Sequence, residues 1–246
     1  RGSRIDSANW SLLADVVGEM AEHAFLSVSD RFIGDLERVP TGYTSGSAVS
    51  EATLCLLIHA MRYLRLSNTS LERFEEAADF LKSMAKFFYR CENDSVCLAY
   101  CEVLGQLVLR LAGNLTAEVN HPTWIDATRT IYAKAYKLAQ RGPEQPFSRP
   151  ATTLVVAVLC VSPRDTFLGR WLDLTHTLVA RLRPKLPTQD KYTIVACIAR
   201  LLWSYLFRYS DTLNAKTRNM QNVATELFSG GISANSAHQH TYHRRH

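Results

Sequence analysis

Cysteine and histidine are the residue types in this chain that could ligate a metal or act as nucleophile and base. There are six cysteines, and Cys97 and Cys101 are spaced so that they can share one face of a helix. A zinc site would need two further ligands at a suitable spacing, and the sequence holds no C-x-x-C pair. We therefore predict free thiols, buried within a helical core in a reducing compartment.

The histidines also lack a catalytic setting. His23, His59, His121 and His176 lie outside any H-E-x-x-H motif, and none stands beside a cysteine in a nucleophile motif. The sequence has neither a Gly-rich phosphate loop nor a G-x-S-x-G elbow. We therefore expect structural, hydrogen-bonded histidines, with no catalytic residue, no cofactor site and no metal site. The prediction is a protein that is not an enzyme.

Basic residues are the remaining candidate for function. Arg181, Arg183 and Lys185 cluster at the end of one predicted helix, and Lys191 follows closely in the sequence. The helix dipole alone favours basic residues at a helix C-terminus, and that explanation stays open. The functional alternative is a basic ridge that docks an acidic partner surface. Net charge is only +5, and lysine and arginine are scattered among acids, so we expect no nucleic-acid partner.

The helical period recurs along the chain and defines the elements that would position these residues. Thr69-Ser70-Leu71-Glu72 fits a capping box, and Asp94 or Ser95 can cap the next helix. Pro122 suits the first position of a further helix. The predicted inward face of that helix consists of Ile125, Thr128, Ile131, Tyr132, Ala135 and Leu138.

The apolar run 154–161 is ambiguous, because its β-branched residues would also suit a buried strand. No credible partner strand exists, so we predict a short helix buried on all sides, after a loop over 142–150. Ser162-Pro163-Arg164-Asp165 then predicts a helix with Ser162 as its N-cap. That helix should bury Phe167, Trp171, Leu174, Leu178 and Leu182.

A further helix is predicted to begin at Thr188 and a last one near Asp211. The Thr188 helix should bury Ile194, Ile198, Leu201, Leu202, Tyr205 and Leu206. We predict an all-α fold of the HEAT or armadillo kind, an α-solenoid over 1–230, with a disordered or extended tail over 231–246. A globular helical bundle is the alternative. No apolar run reaches the length of a membrane span, and the N-terminus, which lacks a signal peptide, suggests a piece of a longer chain.

Three collinear signatures carry a resemblance to a known family: Leu159-Cys160-Val161-Ser162, the helix with Trp171, and Arg200-Leu201-Leu202-Trp203. The segments Phe87-Phe88-Tyr89 and Leu227-Phe228-Ser229-Gly230 look similar too. Together they resemble the N-terminal region of the Furry family of cell-morphogenesis proteins, with a fungal member expected. The likeness covers roughly 69–230 and is strongest from Arg149 onward.

The resemblance implies a non-enzymatic scaffold that works with NDR-type kinases and their Mob co-activators in cell polarity and morphogenesis. It implies a cytoplasmic location, at the cell cortex or at sites of polarised growth. It supplies no residue-level binding motif, so the basic residues named above remain the candidate docking site. The alternatives are a generic helical adaptor for a membrane surface or nucleic acid, and a purely structural solenoid segment.

Overall fold

The computed structural model describes residues 16–38, 48–67, 70–112, 120–142, 145–183 and 185–209. Secondary structure within these ranges is helical, without strands. Helix α1 covers residues 16–23. The helices after it are α2 (Phe25–Arg38), α3 (Ala48–Ala60), α4 (Leu71–Arg90), α5 (Asp94–Ala112), α6 (Pro122–Ala139), α7 (Ser148–Cys160), α8 (Arg164–Leu168), α9 (Trp171–Arg181) and α10 (Thr188–Tyr209). The predicted all-α helical-repeat class is confirmed.

Helices two positions apart along the chain pack side by side. Helices α2, α4 and α6 form one layer, and α3, α5 and α7 form a second. The layers meet through α6 against α7 and through the rings of Phe88 and Tyr100, whose centroids lie 5.7 Å apart. Each central helix therefore buries two faces, as expected when helical pairs stack in a repeat protein.

Side-chain caps begin two of the central helices, each one residue away from the predicted position. Ser70, not Thr69, is the N-cap of α4, and its Oγ accepts a hydrogen bond from the Arg73 N–H at 3.2 Å. Before α5, the Asn93 Oδ1 accepts from the Val96 N–H at 3.0 Å. Both corrections have the same physical cause, because several neighbouring polar residues can cap and the packed backbone selects one. Thr69 itself lies outside the described residues.

Helix α6 begins with Pro122 at its first position, as predicted. Its buried face includes Thr128, Ile131, Ala135 and Leu138, whereas Ile125 and Tyr132 are only half-buried. At the N-terminal end of the helix, Trp124 takes the place of Ile125 in the core, and its side chain is fully buried. The predicted stripe was therefore displaced by about one helical position at its N-terminal end.

The ambiguous apolar run is helical. Helix α7 begins at Ser148, so the predicted loop over 142–150 is wrong in its last three residues. Pro150 is accommodated because it occupies the first turn, where its missing N–H would have no intrahelical partner. All residues of the run 154–161 are buried, since α7 packs on α5 and α6 and also contacts α10.

The predicted helix starting at Ser162 is divided into two. Ser162 is not an N-cap, because its Oγ donates back to the Val158 carbonyl at 2.7 Å. The short α8 ends at Leu168 and is followed by Gly169, where a Cβ would lie 3.0 Å from the Asp165 carbonyl oxygen. The chain resumes as α9, which buries Leu174, Thr175 and Leu178. Phe167 is also buried, whereas Trp171 and Leu182, which were predicted to be buried, are only half-buried.

Helix α10 begins at Thr188, as predicted, but its buried face is rotated. Ile194, Cys197 and Leu201 are buried, whereas Leu202 is 43% and Leu206 37% exposed. The described residues up to Ser204 belong to one compact unit, and 205–209, the last turn of α10, belong to a second. The predicted last helix near Asp211, the 230/231 boundary and the tail lie outside the described residues.

Helix α5 is long and apolar enough to cross a membrane by length and composition. However, 67% of its most apolar window is buried inside the protein. A helix that is apolar on most sides and covered by neighbours is the core of a helical stack. Its two neighbours in the same layer, α3 and α7, supply that cover.

Candidate docking cleft

A cleft of about 250 Å³ lies where the N-terminus of α7, the C-terminus of α9 and the start of α10 meet. Helix α7 contributes its first residues, and the connection that leads from α9 into α10 forms another wall. The described residues that line the cleft are Ser148, Arg149, Thr152, Arg181, Arg183, Leu186, Asp190, Thr193 and Ile194. The lining therefore combines three arginines with three hydroxyl-bearing residues.

One ion pair spans the cleft. The Arg149 Nε lies 2.8 Å from the Asp190 Oδ1 and joins the first turn of α7 to the first turn of α10. The Asp190 carboxylate also stands at a helix N-terminus, where the helix dipole favours negative charge. Its side chain is 19% exposed, so the pair is partly shielded from solvent. This contact neutralises one of the three arginines and fixes the two helix ends relative to each other.

Arg181 and Arg183 carry the excess positive charge of the cleft. Within the described residues, neither has an acidic side chain at ion-pair distance. The Arg183 N–H bonds to the Arg181 carbonyl at 2.9 Å, and the Leu186 N–H bonds to the Arg183 carbonyl at 3.1 Å. These turns fold the α9–α10 connection tightly, and both arginines line the same recess as Arg149.

The predicted docking residues divide into two pairs. Arg181 and Arg183 line the cleft, whereas Lys185 and Lys191 are not among its lining residues. Lys185 is exposed in the turn, and Lys191 is half-buried in the first turn of α10. The structure therefore groups half of the predicted ridge around a recess.

Sequence reasoning missed the two other charged residues of the lining, Arg149 and Asp190. A sequence shows that Asp190 follows a helix start, but it does not show that α7 begins nearby in space. The one available signal was that Arg149 stands beside Ser148 and Pro150, a combination that suits a helix N-terminus. This signal was overlooked because residues 142–150 were predicted to form a loop.

The cysteines are free and mostly buried, in agreement with the prediction. Cys97, Cys101, Cys160 and Cys197 are buried, and the other two are half-buried. Burial raises the pKa of Cys197 to about 11, although Thr153 and nearby arginines oppose the shift. A hydrogen bond between the thiols of Cys91 and Cys97 lowers the pKa of Cys97. Buried thiols with raised pKa values are poor nucleophiles.

No group of three or more His, Cys, Asp or Glu residues in the described part of the chain could hold a metal ion. The His59 Nε2 lies 3.9 Å from the Glu102 Oε2 at the surface. His121 differs from the hydrogen-bonded role we predicted, because its buried Nδ1 has no hydrogen-bond partner among the described residues.

Two of the signatures that carried the family resemblance meet at the C-terminal end of α7. The Trp124 Nε1 donates to the Val161 carbonyl at 2.9 Å, which anchors α6 to the C-terminal end of α7. The Cys160 thiol approaches the Arg200 carbonyl at 3.9 Å, so this signature contacts the Arg200–Trp203 signature directly. Their spacing in the sequence reflects packing in the fold and not a reaction centre.

These observations define a segment of a helical-repeat protein that has a basic cleft between helix ends. The chain belongs to the cell-morphogenesis N-terminal family, whose model matches residues 1–240. It is 45% identical over 221 residues to the cell morphogenesis protein PAG1 of Saccharomyces cerevisiae, covering 90% of this chain and 9% of the relative. It is 30% identical over 224 residues to the cell polarity protein mor2 of Schizosaccharomyces pombe, covering 91% of this chain and 10% of the relative.

The chain thus spans about a tenth of the length of these two fungal relatives. No solved structure matches it. Both relatives are named for morphogenesis or polarity and not for an enzymatic activity. The recognition of the family from collinear hydrophobic signatures is confirmed.

Proposed function

We propose that this chain is a non-enzymatic scaffold segment that docks an NDR-type kinase, its Mob co-activator, or both. In this role it acts in the cytoplasm, at the cortex or at sites of polarised growth. Membership of a family whose fungal relatives are named for morphogenesis and polarity carries the proposal. The choice of kinase and co-activator comes from the family resemblance.

The cleft supports a docking role. A helical stack offers extended surface and rigid helix ends, and such elements place side chains more accurately than loops do. Arg181 and Arg183 present guanidinium groups with no acidic partner among the described residues. Arginine is the basic residue most often found at the energetic centre of protein interfaces. An acidic partner surface would find matching charge here.

Binding of the purified chain to the kinase, to the Mob protein and to the two together tests the proposal. We expect saturable binding to at least one of the three, weakening as salt is raised, because exposed charges are screened. The double variant Arg181→Glu/Arg183→Glu should slow association and weaken binding by about tenfold or more.

The matched control is Lys82→Glu/Lys86→Glu, which makes the same charge change on the exposed face of α4. Helix α4 contributes no residue to the cleft. A folded chain that binds none of the three partners would refute the docking role. If both double variants weaken binding equally, net charge and not the cleft governs the interaction.

A further inference from the structure

We propose that the cleft binds a phosphate monoester, presented as a phosphoserine or phosphothreonine side chain on a partner protein. The inference rests on the proposed docking role but names the chemistry that the cleft recognises. A phosphate site in this cleft requires excess positive charge, hydrogen-bond donors in a suitable arrangement and a recess of suitable size.

Charge favours a doubly negative group. The described lining contains three arginines and one aspartate, which leaves two excess positive charges. A phosphate monoester carries a charge of about −1.5 to −2 at neutral pH, whereas a carboxylate carries −1. Asp190 already supplies one carboxylate, held by Arg149. The unmatched charge on Arg181 and Arg183 is therefore closer to that of a phosphate than to that of a second carboxylate.

Donor chemistry favours the same group. A guanidinium presents a planar fork of N–H donors that can bond two phosphate oxygens at once. Arg181, the last residue of α9, and Arg183, in the connection after it, line the recess together with Arg149 from α7. The N-terminal turn of α10 forms part of the same wall, and helix N-termini add positive potential.

The size and walls of the cleft favour a peptide over a membrane or a nucleic acid. Its volume, about 250 Å³, suits one side chain and its immediate neighbour rather than a drug-sized ligand. Leu186 and Ile194 give the recess apolar walls beside its arginines, which suit a residue flanking the phosphorylated one. A membrane surface or a nucleic acid would instead use a continuous basic face, and Asp190 interrupts this one.

Fluorescence anisotropy with short labelled peptide pools tests the inference on the purified chain. The pools have random flanks and a central phosphoserine, glutamate or serine. We expect the phosphoserine pool to bind about tenfold or more tightly than the serine pool, with the glutamate pool between them. Inorganic phosphate should compete, and binding should weaken with salt.

Three variants locate the site. Arg181→Glu/Arg183→Glu should abolish the preference for phosphoserine, whereas Lys82→Glu/Lys86→Glu should retain it. Asp190→Asn adds one net positive charge to the cleft and frees Arg149, so it should tighten phosphoserine binding several-fold. A purely structural role for the Arg149–Asp190 pair would give no such gain. Circular dichroism confirms that each variant folds.

Three results would overturn the inference. One is equal binding of the phosphoserine and serine pools. Another is weaker phosphoserine binding by a folded Asp190→Asn chain. The third is binding to vesicles that contain phosphatidylinositol phosphates without binding to any peptide pool, which would assign the cleft to a lipid headgroup. Because no kinase or Mob protein is used, this test can fail while the proposed scaffold role stands, and the reverse also holds.

Discussion

Replacing Trp124 by phenylalanine should destabilise the chain more than any matched surface change. The Trp124 side chain is fully buried, and its Nε1 donates to the Val161 carbonyl at 2.9 Å. Phenylalanine removes the donor and leaves that carbonyl unpaired in the core, at a cost of about 1–3 kcal/mol. The smaller ring also leaves a cavity on the order of 40 Å³, which costs about 1 kcal/mol. The free energy of unfolding should fall by about 2–4 kcal/mol.

Urea unfolding followed by circular dichroism measures this change. The control is Trp203→Phe, the same substitution at a side chain that is 59% exposed, where we expect a change within about 0.5 kcal/mol. Equal losses for the two variants would refute the reasoning. So would a loss below about 1 kcal/mol for Trp124→Phe, because the hydrogen bond between α6 and α7 would then contribute nothing measurable.

Three smaller perturbations follow from local contacts. Ser70→Ala removes the α4 cap and should cost about 1 kcal/mol by urea unfolding, whereas Ser70→Gly should cost only a few tenths. Arg170→Ala removes a guanidinium whose carbon lies 4.8 Å from the Tyr132 ring centroid and should cost about 0.5–1 kcal/mol in the same assay; no loss would show that the contact is not stabilising. Burial raises the pKa of Cys197 from 9.0 to about 11, so the fold favours the protonated thiol. Its stabilising contribution is complete below pH 9 and is lost as the pH rises to 11, by about 2–3 kcal/mol. The urea midpoint should therefore fall less between these pH values in Cys197→Ala, and an unchanged fall would contradict the assignment.

Local patterns predicted the class of fold and most of the helix positions. A helix buries the stripe that recurs at its own period, so Thr128, Ile131, Ala135 and Leu138 were recognisable as part of the core face of α6 from spacing alone. The restricted geometry of proline likewise placed Pro122 at the start of α6. These features depend on residues within a few positions of each other.

Features that depend on neighbouring helices could not be predicted. Trp124 rather than Ile125 enters the core because the Val161 carbonyl, 37 residues away, supplies its hydrogen-bond partner. The period of α10 allowed either of two apolar faces to be buried, and packing selected the one that contains Cys197. The candidate site shows the same limit, since Arg181 and Arg183 were found from their clustering but Arg149 was not.

The sequence by itself determined that this protein is a stack of helices, and its hydrophobic signatures were specific enough to indicate its family. Only the tertiary structure decided that the basic residues form a cleft rather than a linear ridge. The reason is that Arg149 and Asp190 are 41 positions apart, and only the packing of α7 against α10 brings them within 2.8 Å. Hydrophobic periodicity records which face of a helix is buried, but not which helix covers it.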